Sequence, residues 1–279
     1  MSTPGLIAKP WVRSIGYLFV GYVGMVAMLL FFENKLVYHP YTAEQDWVNA
    51  PHADIEDVYL TGADGTRVHA WYCHCPGSDE ALLYCHGNAG NLSHRGGSIL
   101  KIRALLNVSV LIIDYPGYGK SEGSPSEAGC YDAADASYVW LTDEKKFASK
   151  KILLYGASLG GGVITDLASR KEHRALVLIK TFTSLPDVAS DLYWWLPVPK
   201  RAIMRNRFNS IDKLASCRRP VFIAHGTHDR LIPFAHGERL YEAANEPKRF
   251  FPIVGHGHND PLPQPFFESL RSFLQEQPQ

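Results

Sequence analysis

From about residue 52 onward the chain is a series of short apolar runs separated by turn-rich or helix-patterned segments. The runs are Ile55–Leu60, Arg67–Cys73, Ala81–Cys85, Val108–Asp114, Lys151–Gly156, Ala175–Lys180, Pro220–His225 and Arg249–Val254. Most are nearly continuous in apolar character and rich in β-branched or aromatic residues, as strands covered on both faces are. The first two flank TGADGT, whose Asp64-Gly65 pair is a hairpin signal. Helical patterning follows at Ser126–Leu141, Gly161–Ser169, Phe234–Ala244 and Phe266–Gln275. Strand alternating with helix predicts an α/β fold, a mostly parallel sheet opened by an antiparallel hairpin. One connection breaks the rhythm. The stretch between Lys180 and Pro220 is longer than ordinary loops and predicts a short lid at about residues 182–215.

A different pattern precedes all this. Ile15–Phe32 is 18 residues without a charge. As a helix it would span about 27 Å, close to the ~30 Å hydrocarbon core of a bilayer. Trp11, Tyr17, Phe31 and Phe32 stand near its ends, as interfacial aromatics do. No A-x-A cleavage site follows, so a retained anchor is expected rather than a removed signal peptide. The organisation reads as a tail (1–14), a transmembrane anchor (15–32), a linker (33–51) and one α/β domain (52–279). Lys9 and Arg13 precede the apolar run, and only Lys35 follows it closely. The positive-inside rule then puts the N-terminus in the cytoplasm and the domain on the other side.

Composition narrows the function. The chain is 46% hydrophobic and 20% charged, and its 28 basic and 28 acidic residues cancel. No bulk field is available to draw nucleic acid, and no nucleic-acid partner is expected. The five cysteines, Cys73, Cys75, Cys85, Cys130 and Cys217, show no CxxC zinc spacing and read as buried thiols, with a bridge at Cys73 or Cys75 open if the domain is exported.

The chemistry gathers where strands end. In open parallel sheets ligands sit at the carboxyl edge. Five such ends here carry CHGNAGN (Cys85–Asn91), DYPGYGKSEG (Asp114–Gly123), YGASLGGG (Tyr155–Gly162), HGTHDRLIP (His225–Pro233) and VGHGHND (Val254–Asp260). Gly156-Ala157-Ser158-Leu159-Gly160 fits G-x-S-x-G between a strand and a helix. A turn that tight leaves no room for side chains two residues either side of the serine. It also aims a helix N-terminus at developing negative charge. A serine hydroxyl needs a positioned base and an orienting acid, in the chain order Ser, Asp or Glu, His. Asp229 follows one strand and the His256/His258 loop the next. Asp114 is the competing acid but precedes the serine.

Taken together, HGNAGN, DYPGYGKSEG, GASLGG, HGTHDRLIP and GHND resemble the α/β-hydrolase superfamily, and within it the membrane-anchored Bem46-like serine hydrolases. The resemblance runs from about Ile55 to the end. It implies Ser158 as nucleophile, Asp229 as orienting acid and His258 as base. It also implies an oxyanion hole from the backbone N–H groups of Leu159 and Asn88. His256 stands where relatives usually carry a small residue and is the alternative base. Gly257 is expected to give the backbone freedom that turns His258 toward Ser158.

Rival readings are weaker. GKS at Gly119–Ser121 lacks the P-loop glycine five residues earlier, where Asp114 stands, and GASLGGG is not a dinucleotide fingerprint. HGHNDP approaches a zinc motif but ends in Pro261, and His225, His228 and Asp229 would have to join it. A hydrolase of this type needs neither metal nor cofactor. Trp194, Trp195, Leu196, Pro197 and Val198 suit an acyl pocket, a bilayer contact or plain packing over the sheet. Lys200, Arg201, Arg205 and Arg207 suit a solvated face or anionic lipid head groups. The expected activity is hydrolysis of esters or thioesters, on small-molecule or lipid-like acyl substrates, through an acyl-enzyme. A serine peptidase or amidase is the alternative. A non-catalytic anchored binding module would not need all three triad positions.

Overall fold

The computed structural model describes residues 10–277. Lys9 and the side chain of Arg13, the cations behind the expected orientation, lie outside what it describes, as do residues 278–279. The sheet strands are β1 Ile55–Thr61, β2 Arg67–Cys73, β3 Ala81–Cys85, β4 Ser109–Ile113, β5 Ile152–Ala157, β6 Ala175–Ile179, β7 Val221–Gly226 and β8 Lys248–Ile253. They form one 8-stranded sheet in the order β1-β2-β4-β3-β5-β6-β7-β8. β1 pairs antiparallel with β2, and β2 with β4; every other pairing is parallel. The expected strands and the opening hairpin are therefore present. β8 is an edge strand, which is why it tolerates Pro252.

The helices are α1 Pro10–Phe31, α2 Glu33–Val37, α3 Gly96–Leu106, α4 Glu127–Val139, α5 Leu159–Arg170, α6 Leu185–Leu192, α7 Lys200–Ile203, α8 Ser210–Leu214, α9 Ala235–Ala243 and α10 Gln264–Glu276. Residues of one strand alternate between two cores because side chains leave a strand on opposite faces. Leu83, Leu111, Leu154 and Leu176 pack with Ala133 of α4, Val163 and Leu167 of α5, Leu214 of α8 and Leu240 of α9. Their neighbours Leu82, Val110, Leu153 and Val177 pack with Ile99 and Ile102 of α3 and with Phe266, Leu270 and Phe273 of α10. α3 was not among the expected helices. Gly96-Gly97 at its start reads as a breaker, yet Ile99 and Ile102 share a face and left-handed Asn107 ends it. All five cysteines are buried free thiols.

Within α1, Ser14–Phe31 is 18 residues of mean hydropathy 2.0, none of them buried. It is long and apolar enough to cross a membrane, a property that spans share with signal sequences. Beyond it the chain stays on the domain. His39–Pro40 pairs in parallel with Ala89–Gly90, in the loop after β3. The long connection between β6 and β7 carries α6, α7 and α8.

Candidate active site

Ser158 joins the end of β5 to α5 with φ 51° and ψ −119°. Few residues other than glycine adopt a left-handed φ, and holding one there costs about 1–3 kcal/mol. The surroundings over-determine it. A Cβ on Gly160 would lie 1.9 Å from the Cys85 carbonyl oxygen, and one on Gly156 would lie 2.4 Å from the Gly160 oxygen. Only hydrogen at both positions lets α5 start this close to β3 and β5. Leu159 is the first residue of α5, so its N–H has no acceptor within the helix.

The loop of His256 and His258 follows β8. Ser158 Oγ–H donates to His258 Nε2 at 3.0 Å, and His258 Nδ1–H donates to Asp229 Oδ2 at 2.7 Å. These donor roles follow from the chemistry, since an ionised carboxylate can only accept. Asp229, after β7, is buried. Its Oδ1 accepts from the Leu231 and Ile232 amides at 3.0 and 2.8 Å. Burial works to raise its pKa, but hydrogen bonds from His225, His258 and the Ile232 amide outweigh that. The carboxyl is held well below the ordinary aspartate range. His256 is placed differently: its Nδ1–H donates to the Val254 carbonyl at 3.0 Å. Gly257 needs correcting. The left-handed residue of this loop is Gly255, at φ 77°, whereas the Gly257 N–H donates to Asp260 Oδ2 at 2.7 Å.

Asn88 lies in the loop after β3, beside the serine. A Cβ on neighbouring Gly87 would stand 3.4 Å from Ser158 Cβ. The Gly87 carbonyl accepts from His86 Nδ1–H at 2.7 Å. Because the peptide unit is planar and trans, fixing that C=O points the Asn88 N–H the opposite way. The Asn88 side chain is clamped as well. Its Nδ2 donates to the Val37 carbonyl at 2.6 Å, and Tyr118 Oη–H donates to its Oδ1 at 2.8 Å. Asp114, the competing acid, is elsewhere. It is buried beneath this loop and accepts from His86 Nε2 at 3.1 Å and from the Leu92 amide at 2.8 Å.

Two features at the site had not been singled out in the sequence. Lys180, at φ 47° after β6, is buried and donates from Nζ to the carbonyls of His258 (3.1 Å) and Asp260 (2.7 Å). Burial lowers its pKa, against the pull of Asp229 and Asp260. A lone charge closing the apolar run ALVLIK was the available signal. The second is the segment after α1, which reaches the loop after β3 through Val37, His39 and Pro40. Among the described residues, no three His, Cys, Asp or Glu side chains are grouped so as to hold a metal ion.

Residues 80–201 match the family model for the alpha/beta hydrolase fold. An uncharacterized protein of Mycobacterium tuberculosis is 35% identical over 258 residues, covering 91% of this chain and 91% of that one. Alpha/beta hydrolase domain-containing protein 17B of Xenopus laevis is 31% identical over 236 residues, 83% of this chain and 80% of its own. Among solved structures, the Pyrococcus furiosus esterase Pf2001 superposes with a TM-score of 0.69 at 21% identity, covering 86% of this chain and 97% of its own. Est1E of Butyrivibrio proteoclasticus, solved with ferulic acid, has a TM-score of 0.66 at 18% identity, covering 79% of this chain and 98% of its own.

Proposed function

Since the chain belongs to the alpha/beta hydrolase family, we propose that it is a membrane-anchored serine hydrolase of the Bem46-like type, cleaving carboxylic ester or thioester bonds through an acyl-enzyme. One observation carries the reading: the unbroken hydrogen-bond chain from Asp229 through His258 to Ser158 Oγ. His258 Nε2 takes the Ser158 proton as Oγ bonds to the acyl carbon, and the carbonyl electron pair moves to oxygen. The N–H groups of Leu159 and Asn88 receive that oxyanion. As the intermediate collapses, the bond to the leaving oxygen or sulfur breaks and His258 delivers the proton to it. Water, deprotonated by His258, then attacks the acyl-enzyme, and Ser158 recovers its proton. Asp229 holds the tautomer that leaves Nε2 free and stabilises the imidazolium. No step calls for a cofactor or metal. The substrate is a small-molecule or lipid-like acyl compound. Ile15–Phe32 crosses the bilayer with the N-terminus cytoplasmic and the domain on the opposite side.

The test is Ser158→Ala. It should fold normally, lose kcat by on the order of 10⁶ and no longer react with a fluorophosphonate probe that labels wild type. Turnover near wild type, or labelling of the variant at another residue with activity intact, would remove Ser158 from its role.

A further inference from the structure

We propose that the tip of the connection between α6 and α7, Tyr193–Pro199, is immersed in one leaflet of the bilayer beside α1. This rests on the reading of α1 as a membrane span. The first observation is a pair of contacts that lay the connection along that helix. Tyr22 Oη–H donates to the Pro197 carbonyl at 2.9 Å, and Arg205 Nη2 donates to the Leu30 carbonyl. Tyr22 precedes the end of α1 at Phe31 by nine residues, which is about 14 Å of helix. The chain therefore descends from Arg205, level with the end of the span, to Pro197, far down its side. Half a hydrocarbon core is about 15 Å, so the tip lies at acyl-chain depth.

The second observation is the surface of the tip. Tyr193, Trp194 and Trp195 are 51%, 80% and 63% exposed, which rules them out as the lining of an enclosed acyl pocket. Tyr17, Leu18, Phe19 and Val20 of α1 are likewise exposed apolar side chains. The third is the backbone. Irregular chain enters a membrane at lower cost the more of its polar groups are satisfied internally. Here the N–H groups of Tyr193, Leu196, Val198 and Lys200 donate to the carbonyls of Ala189, Tyr193, Leu196 and Val198, while those of Trp194 and Trp195 have no backbone acceptor among the described residues. Pro197 and Pro199 have no N–H to satisfy. The Tyr22 hydroxyl and the Pro197 carbonyl, each costly alone in hydrocarbon, satisfy one another. Lys200 Nζ donates back to the Leu196 carbonyl at 2.9 Å, and Arg205 stands at the end of the span with its Nη2 on the Leu30 carbonyl.

The experiment places the full chain in phosphatidylcholine vesicles whose acyl chains carry bromine, a contact quencher of tryptophan. Wild type is compared with Trp194→Phe/Trp195→Phe, and co-flotation with the vesicles is scored for both. Both proteins should float. Both proteins should show a bromolipid-quenched component from Trp11 at the end of the span; wild type should show a further component quenched by bromolipid and shielded from aqueous iodide, and the double variant should lack that further component. A component quenched by iodide and not by bromolipid would place the tip in water and overturn the proposal. Resistance to both quenchers would mean that a second copy of the chain covers the tip, and would overturn it too. Failure of wild type to float would remove the span reading and this proposal with it, while fluorophosphonate labelling of Ser158 would be untouched.

Discussion

At the scale of single residues, the loop VGHGHND poses a choice between two histidines separated by one residue. Their positions differ, and under the proposed function that difference favours His258. His258 has one ring nitrogen on a buried carboxylate and the other on a strained serine, whereas the His256 ring turns back on the Val254 carbonyl. His258→Ala should therefore cost kcat nearly as much as Ser158→Ala, and the two together little more than either alone, because the pair acts as a unit. His256→Ala should change kcat by less than about tenfold, a bound below any loss expected of a general base. Equal losses from both substitutions, read in single-turnover acylation, would contradict this assignment. Lys180 makes a second test at this scale. Its ammonium ties the end of β6 to two carbonyls of the His258 loop. Lys180→Met keeps the bulk but leaves both carbonyls unpaired, so the loop relaxes away from Ser158. Misplacement by about 1 Å can cost roughly 10²-fold, and a fall of that order in kcat with KM nearly unchanged is expected. Unchanged kcat would mean that the loop holds its place without the lysine.

At the scale of elements, legibility followed burial. Strands such as ALLYC and VSVLIID announce themselves because both faces are covered, so nearly every position must be apolar. α3 hid because two glycines open it and only Ile99 and Ile102 face the core fully. The segment after α1 left no periodic trace at all. It is bound by polar contacts to residues far away in the chain, and such contacts have no spacing rule. Glu33 shows the strength of that attachment. It is buried and accepts from the Arg205 amide, the Asn206 amide and Asn206 Nδ2 at 2.9, 2.7 and 2.9 Å. Burial alone would raise its pKa, and these bonds more than reverse that, so its carboxylate is favoured in the fold. Four residues on, Val37 clamps Asn88. Glu33→Ala would strand two buried amides, at about 1–3 kcal/mol each. It should lower the unfolding midpoint of the full chain and reduce kcat through Asn88. Asn88→Ala should reduce kcat while leaving the midpoint close to wild type. If Glu33→Ala lowers stability alone, the segment is a fastener and not part of the active-site architecture.

At the scale of the whole molecule, the site could be placed from the sequence because one topological rule did most of the assembly. Parallel strands deliver their C-terminal loops to a common edge. Asn88, Ser158, Asp229 and His258 follow β3, β5, β7 and β8, which the sheet order puts within reach of one another. What the rule cannot supply is the cooperative cost of the whole arrangement, and that can be read through pH. His173 is buried, with its Nδ1–H donating to the Lys171 carbonyl at 2.8 Å. Desolvation disfavours its charged form and pushes its pKa down to about 4, helped by Arg219 against the opposing Lys171 bond. In the unfolded chain the same imidazole titrates near 6.5. Between those two values the unfolded state binds the extra proton, so stability rises with pH across this window and is lost as pH falls through it. The loss should reach on the order of 3 kcal/mol by pH 4. Asp229 and Glu33 are shifted the other side of that window. Both are depressed below their unfolded values of about 4, so their contribution is complete above about pH 5 and is lost as pH falls below that. Urea unfolding of the full chain in detergent should therefore show a midpoint that is flat above about pH 7, declines toward pH 4 and falls again below it. His173→Gln, which does not titrate, should make the first decline shallower whatever it costs in absolute stability, leaving the part that buried His236, whose pKa burial also lowers, contributes, and leave the second. An undiminished slope between pH 6.5 and 4 in that variant would assign it to another group.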